Sequence, residues 1–220
     1  MKKILYAILI FLCTLALISF FGLDIKIAHL FYSHGAKLEW PYSQNSVWLF
    51  FYHHGAIFPD LIGATVAILL IISFFTKELK AWRKKLIFAV LLITIAPGLI
   101  TQTLKVTWGR PRPIETTEFG GRYNFRTPFS PDFSMIGNTN DGNSFPSGHT
   151  AIGFYVLVLY YMFNKRKSLL LAGLIYGGVM AFGRMAQGAH FFSDVLTSWF
   201  IVYITAETLS KLLAINKEKI

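Results

Sequence analysis

The chain has 220 residues, 54% of them hydrophobic, 16% aromatic and only 15% charged, against about 25% charged in soluble domains, so a membrane protein of one domain is expected. Its one cysteine, Cys13, lies in an apolar run and excludes a disulfide framework or a thiolate metal site. The net charge of +10 does not point to nucleic acid, because the positive charges fall between apolar runs and not on one basic surface.

After Met1-Lys2-Lys3, residues 4–23 form an uncharged run of 20 residues, long enough to cross a hydrocarbon core of about 30 Å. The start is that of a signal peptide, but Phe20-Phe21-Gly22-Leu23 offers no small-x-small cleavage site, so a retained first span is expected. Residues 24–56 read as a loop or surface-lying segment whose Trp40, Tyr42, Trp48 and Tyr52 fit a headgroup belt. His29, His34, His53 and His54 in the same stretch read as polar interface residues and not as metal ligands. A second span covers 57–75, followed by a basic turn at 77–85, and a third covers 86–104, kinked by Pro97-Gly98. Residues 105–146 are rich in Pro, Gly, Asn, Ser and Thr and read as a long loop. A fourth span covers 147–163, a short fifth ends at Gly183 and a sixth covers 190–210, before a basic tail at 211–220. Gly173 and Gly177, spaced as GxxxG, permit close helix packing in the fifth span. The expected architecture is all-α: six transmembrane helices packed as a bundle in a single domain spanning 1–220.

Of the 21 Lys and Arg residues, thirteen fall on the segments that share a side with the amino terminus. Excess Lys and Arg marks the cytoplasmic side, so both termini are expected inside and the loops 24–56, 105–146 and 184–189 outside. Three polar clusters then meet at the outer face. Lys105 to Pro113 follows the third span, Ser144 to Thr150 opens the fourth, and Arg184 to Asp194 surrounds the last outer turn.

Ionisable groups at the edge of hydrocarbon cost roughly 2.5–3.5 kcal/mol each and point to function. Lys105, Arg110, Arg112 and Arg184 sit at span ends, where they can reach an interfacial anion, and an arginine fork matches phosphate oxygens. Pro146-Ser147-Gly148 opens a helix whose free N–H groups attract anions. If the chain is helical from Phe191, His190 and Asp194 share a face at i and i+4. The carboxylate can then take the Nδ1 proton and leave Nε2 as nucleophile or base.

Lys105-x6-Arg112-Pro113, Pro146-Ser147-Gly148-His149 and Arg184-x5-His190-x3-Asp194, in that order, resemble the three motifs of the type 2 phosphatidic acid phosphatase superfamily, which also includes vanadium haloperoxidases and bacterial acid phosphatases. The resemblance implies that Lys105, Arg112, Ser147, Gly148 and Arg184 bind the substrate phosphate. It implies further that His190 attacks phosphorus to give a phosphohistidine, that Asp194 orients it, and that His149 protonates the leaving oxygen. Gly183 departs from the pattern, because that position is usually serine. No cofactor is called for, and with no carboxylate cluster to hold Mg²⁺ the chemistry is expected to be metal-independent. Gly-Arg-Pro-Arg-Pro (109–113) and Met-x-Gln-Gly-x-His-Phe-Phe-Ser-Asp-Val (185–195) look like bacterial lipid A phosphatases, particularly of the 4′ type.

The expected protein is therefore a lipid phosphatase of the bacterial inner membrane, acting at the periplasmic face on lipid A at its 4′- or 1-phosphate. Its partners are a lipid phosphate substrate and the surrounding membrane lipids. Undecaprenyl pyrophosphate and phosphatidylglycerol phosphate fit the same chemistry. A non-catalytic anion or lipid transporter is the reading from another class, against which stand the lack of an internal repeat and the position of the charges at span ends.

Overall fold

The computed structural model describes residues 2–37, 39–136 and 141–215. Lys217 and Lys219 of the expected tail and residues 137–140 of the expected loop lie outside them. Among the described residues the regular structure is helical, with no strand and two isolated bridges, Arg110 with Asn143 and Thr116 with Tyr123.

Helix α1 (Lys2–Phe20) buries only Leu15 and Ile18 and leaves Leu5, Leu9, Ile10 and Leu17 exposed. A helix apolar on nearly every side suits hydrocarbon and not water. Its Phe11 ring stacks on Phe200 at 3.9 Å. Gly22 then turns the chain through the left-handed region, φ +61°, into the short helix α2 (Leu23–His29).

The segment expected to be a loop up to residue 56 contains helix α3 (Ser46–His54), capped by the Asn45 side chain, which accepts from Val47 N at 3.0 Å. It runs through Gly55-Ala56 into α4 (Ile57–Ile72), and together they form a 27-residue apolar stretch. Of the aromatics expected at the headgroups, Tyr42 and Tyr52 are exposed. Trp40 is buried, and Trp48 and Tyr52, carried by α3, pack on the candidate site.

Helix α5 (Arg83–Ile93) continues through a π-helical stretch (Thr94–Ile100) into α6 (Thr101–Thr107). Pro97 lacks an N–H and sits inside that stretch, where the widened turn accommodates its ring and Thr101 Oγ1 donates to Ala96 O at 2.9 Å. The kink expected from Pro97-Gly98 thus takes the form of a π stretch. After the long loop, α7 (Gly148–Phe154) and α8 (Val158–Met162) are joined by a 3-10 turn. Helix α9 (Lys167–Ala186) packs along α7 and α8. A Cβ added to Gly173 would lie 2.7 Å from the Leu157 side chain and one on Gly177 would overlap the Phe154 ring, so the GxxxG pair is where these helices close.

Helix α10 (Phe192–Leu212) is the hub, in contact with α1, α2, α5, α7, α8, α9 and the π stretch. Among the described residues four stretches are long and apolar enough to cross a membrane: Lys2–Phe20, Ser46–Ile72, Lys80–Thr107 and Lys167–Ala186. The expected fourth span appears as the shorter apolar helix Gly148–Met162. The expected sixth is α10, whose apolar residues are diluted by Ser193, Asp194, Thr197, Ser198, Thr205 and Ser210, all buried against other helices.

Candidate active site

The three motifs come together around the start of α10. Arg110, fully buried, enters from the loop after α6 and donates from Nε to Arg126 O at 2.8 Å, from Nη1 to Ser193 Oγ at 2.7 Å and from Nη2 to Asp24 Oδ2 at 2.8 Å. It also donates from Nη1 to Asp194. Asp24 in turn accepts from Ser193 N at 2.8 Å and from Ser193 Oγ at 2.6 Å. One guanidinium therefore bridges two buried carboxylates and ties α2 to α10. The ring of Phe191 lies 4.7 Å from its centre, on one face of the guanidinium.

His190 is 3% exposed and precedes α10. Its Nδ1 lies 2.7 Å from the Ser144 carbonyl oxygen. A carbonyl only accepts, so Nδ1 carries the proton and the neutral ring keeps its lone pair on Nε2. This differs from the bond expected between Nδ1 and Asp194, whose Oδ2 stands 3.8 Å away. The helix begins only at Phe192, and Phe191 is extended with ψ 164°, so the i, i+4 geometry of a regular helix does not apply at His190. Asp194 Oδ2 instead accepts from Ser144 Oγ at 2.6 Å and from Phe191 N at 2.7 Å. Ser144 thus links the two motif residues, its hydroxyl to the carboxylate and its carbonyl to the imidazole.

The cations gather beside this pair. Lys105 feels the charges of Arg112 and Arg184, and His149 and His190 both lie in the field of Arg184 and Lys105. A Cβ on Gly148 would lie 3.8 Å from Lys105 Nζ, so the backbone at the start of α7 borders that ammonium group. Arg184 donates from Nη1 to Gln187 Oε1 at 2.7 Å and lies over the Tyr52 ring at 4.7 Å. The same ring is 5.1 Å from that of His149, so Tyr52 holds Arg184 and His149 next to each other. Arg112 is anchored by its backbone N–H, which donates to Glu115 Oε2 at 2.8 Å. Among the described residues, the Nε atoms of Arg112 and Arg184 are buried without a hydrogen-bond partner. Arg112 Nε has Glu115 Oε1 as an ion-pair partner at 3.7 Å, so the donor left open is that of Arg184, and a buried open donor on a cation calls for an anion. Ser147, fully buried, caps α7 by accepting from Thr150 N at 3.4 Å and Thr150 Oγ1 at 2.9 Å.

Two glycines set the shape. Gly188, at φ +68°, sits in the turn between α9 and α10 with its Cα against the Trp40 ring, and its carbonyl accepts from Ile114 N at 3.1 Å. Gly183, where serine is usual, faces Trp48: a Cβ there would lie 2.8 Å from the indole. The departure from the motif therefore matches the indole that fills the space. Outside the spans, the Ser134 hydroxyl and amide hold the Asp132 carboxyl below the usual carboxylate range while it pairs with Arg126 at 2.7 Å, which stabilises the loop over Arg110. Among the described residues there is no group of three or more His, Cys, Asp or Glu side chains placed to hold a metal ion.

The sequence reading brought out Lys105, Arg112, Ser147, Gly148, His149, Arg184, His190 and Asp194, and it missed Asp24, Ser144, Ser193, Tyr52 and the pairing of Arg110. Asp24 carried a signal, a lone carboxylate directly after an apolar span.

A helical membrane protein with a histidine, a buried carboxylate and clustered cations at one end defines a class, and residues 86–216 match the PAP2 superfamily. The chain belongs to that superfamily. It is similar to a lipid A 4′-phosphatase of Francisella tularensis subsp. novicida, with 32% identity over 203 residues, 90% of this chain and 89% of the relative. It is also similar to a lipid A 4′-phosphatase of Rhizobium leguminosarum, with 33% identity over 119 residues, 53% of this chain and 49% of the relative. No solved structure matches.

Proposed function

We propose that the chain is a lipid phosphatase that removes the 4′-phosphate of lipid A through a phosphohistidine, without a metal. The observation that carries this reading is the 2.7 Å contact of His190 Nδ1 with the Ser144 carbonyl oxygen: an Nδ1–H donated there leaves the Nε2 lone pair for phosphorus. In the first step Nε2 forms a bond to phosphorus, the bond from phosphorus to the lipid oxygen breaks, and His149 gives that oxygen a proton. Lys105, Arg112, Arg184, the Ser147 hydroxyl and the Gly148 amide bear the charge on the three equatorial oxygens. In the second step water attacks phosphorus, His149 takes its proton, and the P–N bond breaks to release phosphate and restore His190.

In this reading α7–α8 and α10 cross the membrane with the four longer stretches, which makes six spans. Both termini are cytoplasmic and the site opens at the periplasmic face of the bacterial inner membrane. The distribution of Lys and Arg supports the orientation, and the names of the two relatives support the substrate. The test is phosphate release by purified protein from lipid A, phosphatidic acid, phosphatidylglycerol phosphate and undecaprenyl pyrophosphate, with mass spectrometry of the lipid A product. Loss of the 4′-phosphate, abolished in a folded His190→Ala protein, is expected. Cleavage of the glycerol or polyprenyl lipids with lipid A untouched would overturn the substrate. A tenth of wild-type rate in His190→Ala would overturn the nucleophile.

A further inference from the structure

Lys105, Gly148 and His149 also line a cavity of about 360 Å³ that continues past the phosphate ligands. Its walls come from α4, from the α5–π–α6 helix and from α7, and its apolar lining includes Ile93, Pro97 and Ile152. Lys105 and Ile93 belong to one helical stretch and lie about 18 Å apart along it at 1.5 Å per residue. The cavity is thus a trough running from the cations towards the apolar middle of the bundle, and the π stretch at Pro97 forms part of its wall.

Two polar side chains interrupt this lining, Asp60 on α4 and Gln102 on α6. Both are exposed, and among the described residues neither has a hydrogen-bond or ion-pair partner. A carboxylate in a spanning stretch costs roughly 2.5–3.5 kcal/mol and marks function by default. Asp60 lies in the first turn of α4, on the wall of the cavity. It cannot be there for the phosphate, which it repels. An ionised carboxylate only accepts hydrogen bonds, so its natural partner is a hydroxyl or amide N–H. Gln102 offers one acceptor and two donors beside it.

We propose that this trough reads the part of the lipid immediately below the phosphate, and that Asp60, assisted by Gln102, selects lipids carrying hydroxyl or amide N–H donors there. An N-acylated, hydroxyacylated aminosugar phosphate has such donors. A diacylglycerol phosphate presents ester oxygens, which only accept, and leaves the carboxylate unpaired in an apolar channel. The proposal deepens the lipid-phosphatase reading and rests on it for the position of the phosphate. A hydrogen bond to a charged group corresponds to about 10- to 100-fold in affinity.

The experiment measures binding of ceramide 1-phosphate and phosphatidic acid to His190→Ala protein, which holds the lipids without turning them over. Both are phosphate monoesters with two chains, and only the ceramide has an amide N–H and a hydroxyl. A preference for ceramide 1-phosphate is expected. Asp60→Asn and Asp60→Leu should each reduce it about 10- to 100-fold by weakening the ceramide lipid alone, and a 3-O-methyl ceramide 1-phosphate separates the hydroxyl from the amide. Equal affinity for the two lipids, or equal weakening of both in the Asp60 variants, would overturn the proposal. If wild-type protein hydrolysed none of these lipids nor lipid A, the phosphatase reading would fall, while the binding preference would still decide the role of Asp60.

Discussion

Arg110→Met removes the cation that pairs with Asp24 and Asp194 while keeping much of the side-chain length. Asp24 is 2% exposed and Asp194 is fully buried, so water cannot replace the lost donors. Removing one partner of a buried ion pair costs about 3–5 kcal/mol. Two carboxylates lose a partner here, but Asp24 keeps Ser193 and Asp194 keeps Ser144 and the Phe191 amide, so the loss should fall within that range and not at twice it. Arg110→Lys retains the charge but cannot reach Asp24, Asp194 and the Arg126 carbonyl together, and should fall between wild type and Arg110→Met. Asp24→Asn combined with Arg110→Met should cost less than the sum of the two, with a coupling of about 1–3 kcal/mol. Equilibrium unfolding in mixed micelles measures wild type, Arg110→Met, Arg110→Lys, Asp24→Asn and the double variant. A loss under about 1 kcal/mol for Arg110→Met, or strict additivity in the double variant, would refute the view that this guanidinium holds the two carboxylates in place.

His149→Ala should slow the first step on lipid A by about 10²- to 10⁴-fold and on an aryl phosphate by much less, because a phenolate leaves without a proton; rapid-quench measurement of leaving-group release checks this. Vanadate should inhibit and EDTA should not, since in the proposed reaction the cations and not a metal bear the transition-state charge; loss of activity on chelation, restored by Mg²⁺, would speak for another mechanism. Gly183→Ser should cost about 1–3 kcal/mol through overlap with Trp48, and Trp48→Ala should relieve it, as thermal denaturation of the single and double variants will tell.

What could be read from the chain depended on whether the information was local. The long apolar helices are legible because their apolar residues run with little interruption, as in α1, α4 beyond Asp60 and α9 before Arg184. Helix α3 is hidden because Trp48, Tyr52, His53 and His54 look like an interface, and the contacts of Trp48 with Gly183 and of Tyr52 with Arg184 and His149 reveal that it reaches the site. Helix α10 falls short of a plain apolar span because it is surrounded by protein, so serine and threonine serve it where leucine would serve a lipid-facing helix. The motif residues are legible because each cluster is short and carries its own chemistry. Asp24 was not, because its partner Ser193 is 169 residues away. Nor was Ser144, whose carbonyl, the group that fixes the His190 tautomer, is one that every residue possesses.

The position of Ser144 changes how Asp194 is understood. A carboxylate bonded directly to an imidazole both orients the ring and stabilises its positive charge. Here orientation falls to a neutral carbonyl, and Asp194 shares its charge with Arg110, two further donors and the distant edge of the ring. When His190 Nε2 takes up phosphorus in the proposed reaction, positive charge spreads over the ring and reaches Nδ1. The Ser144 carbonyl dipole then strengthens its bond to Nδ1–H, and Asp194, 3.8 Å away, adds attraction without competing for the proton. Because Asp194 also fixes Ser144 through its hydroxyl, loss of the carboxylate would disturb the tautomer through Ser144 before it altered any charge at phosphorus. Asp194 is therefore better described as a positioning residue than as the partner of the nucleophile. In the proposed reaction the Arg110 pair that holds it supports that position without touching the phosphate.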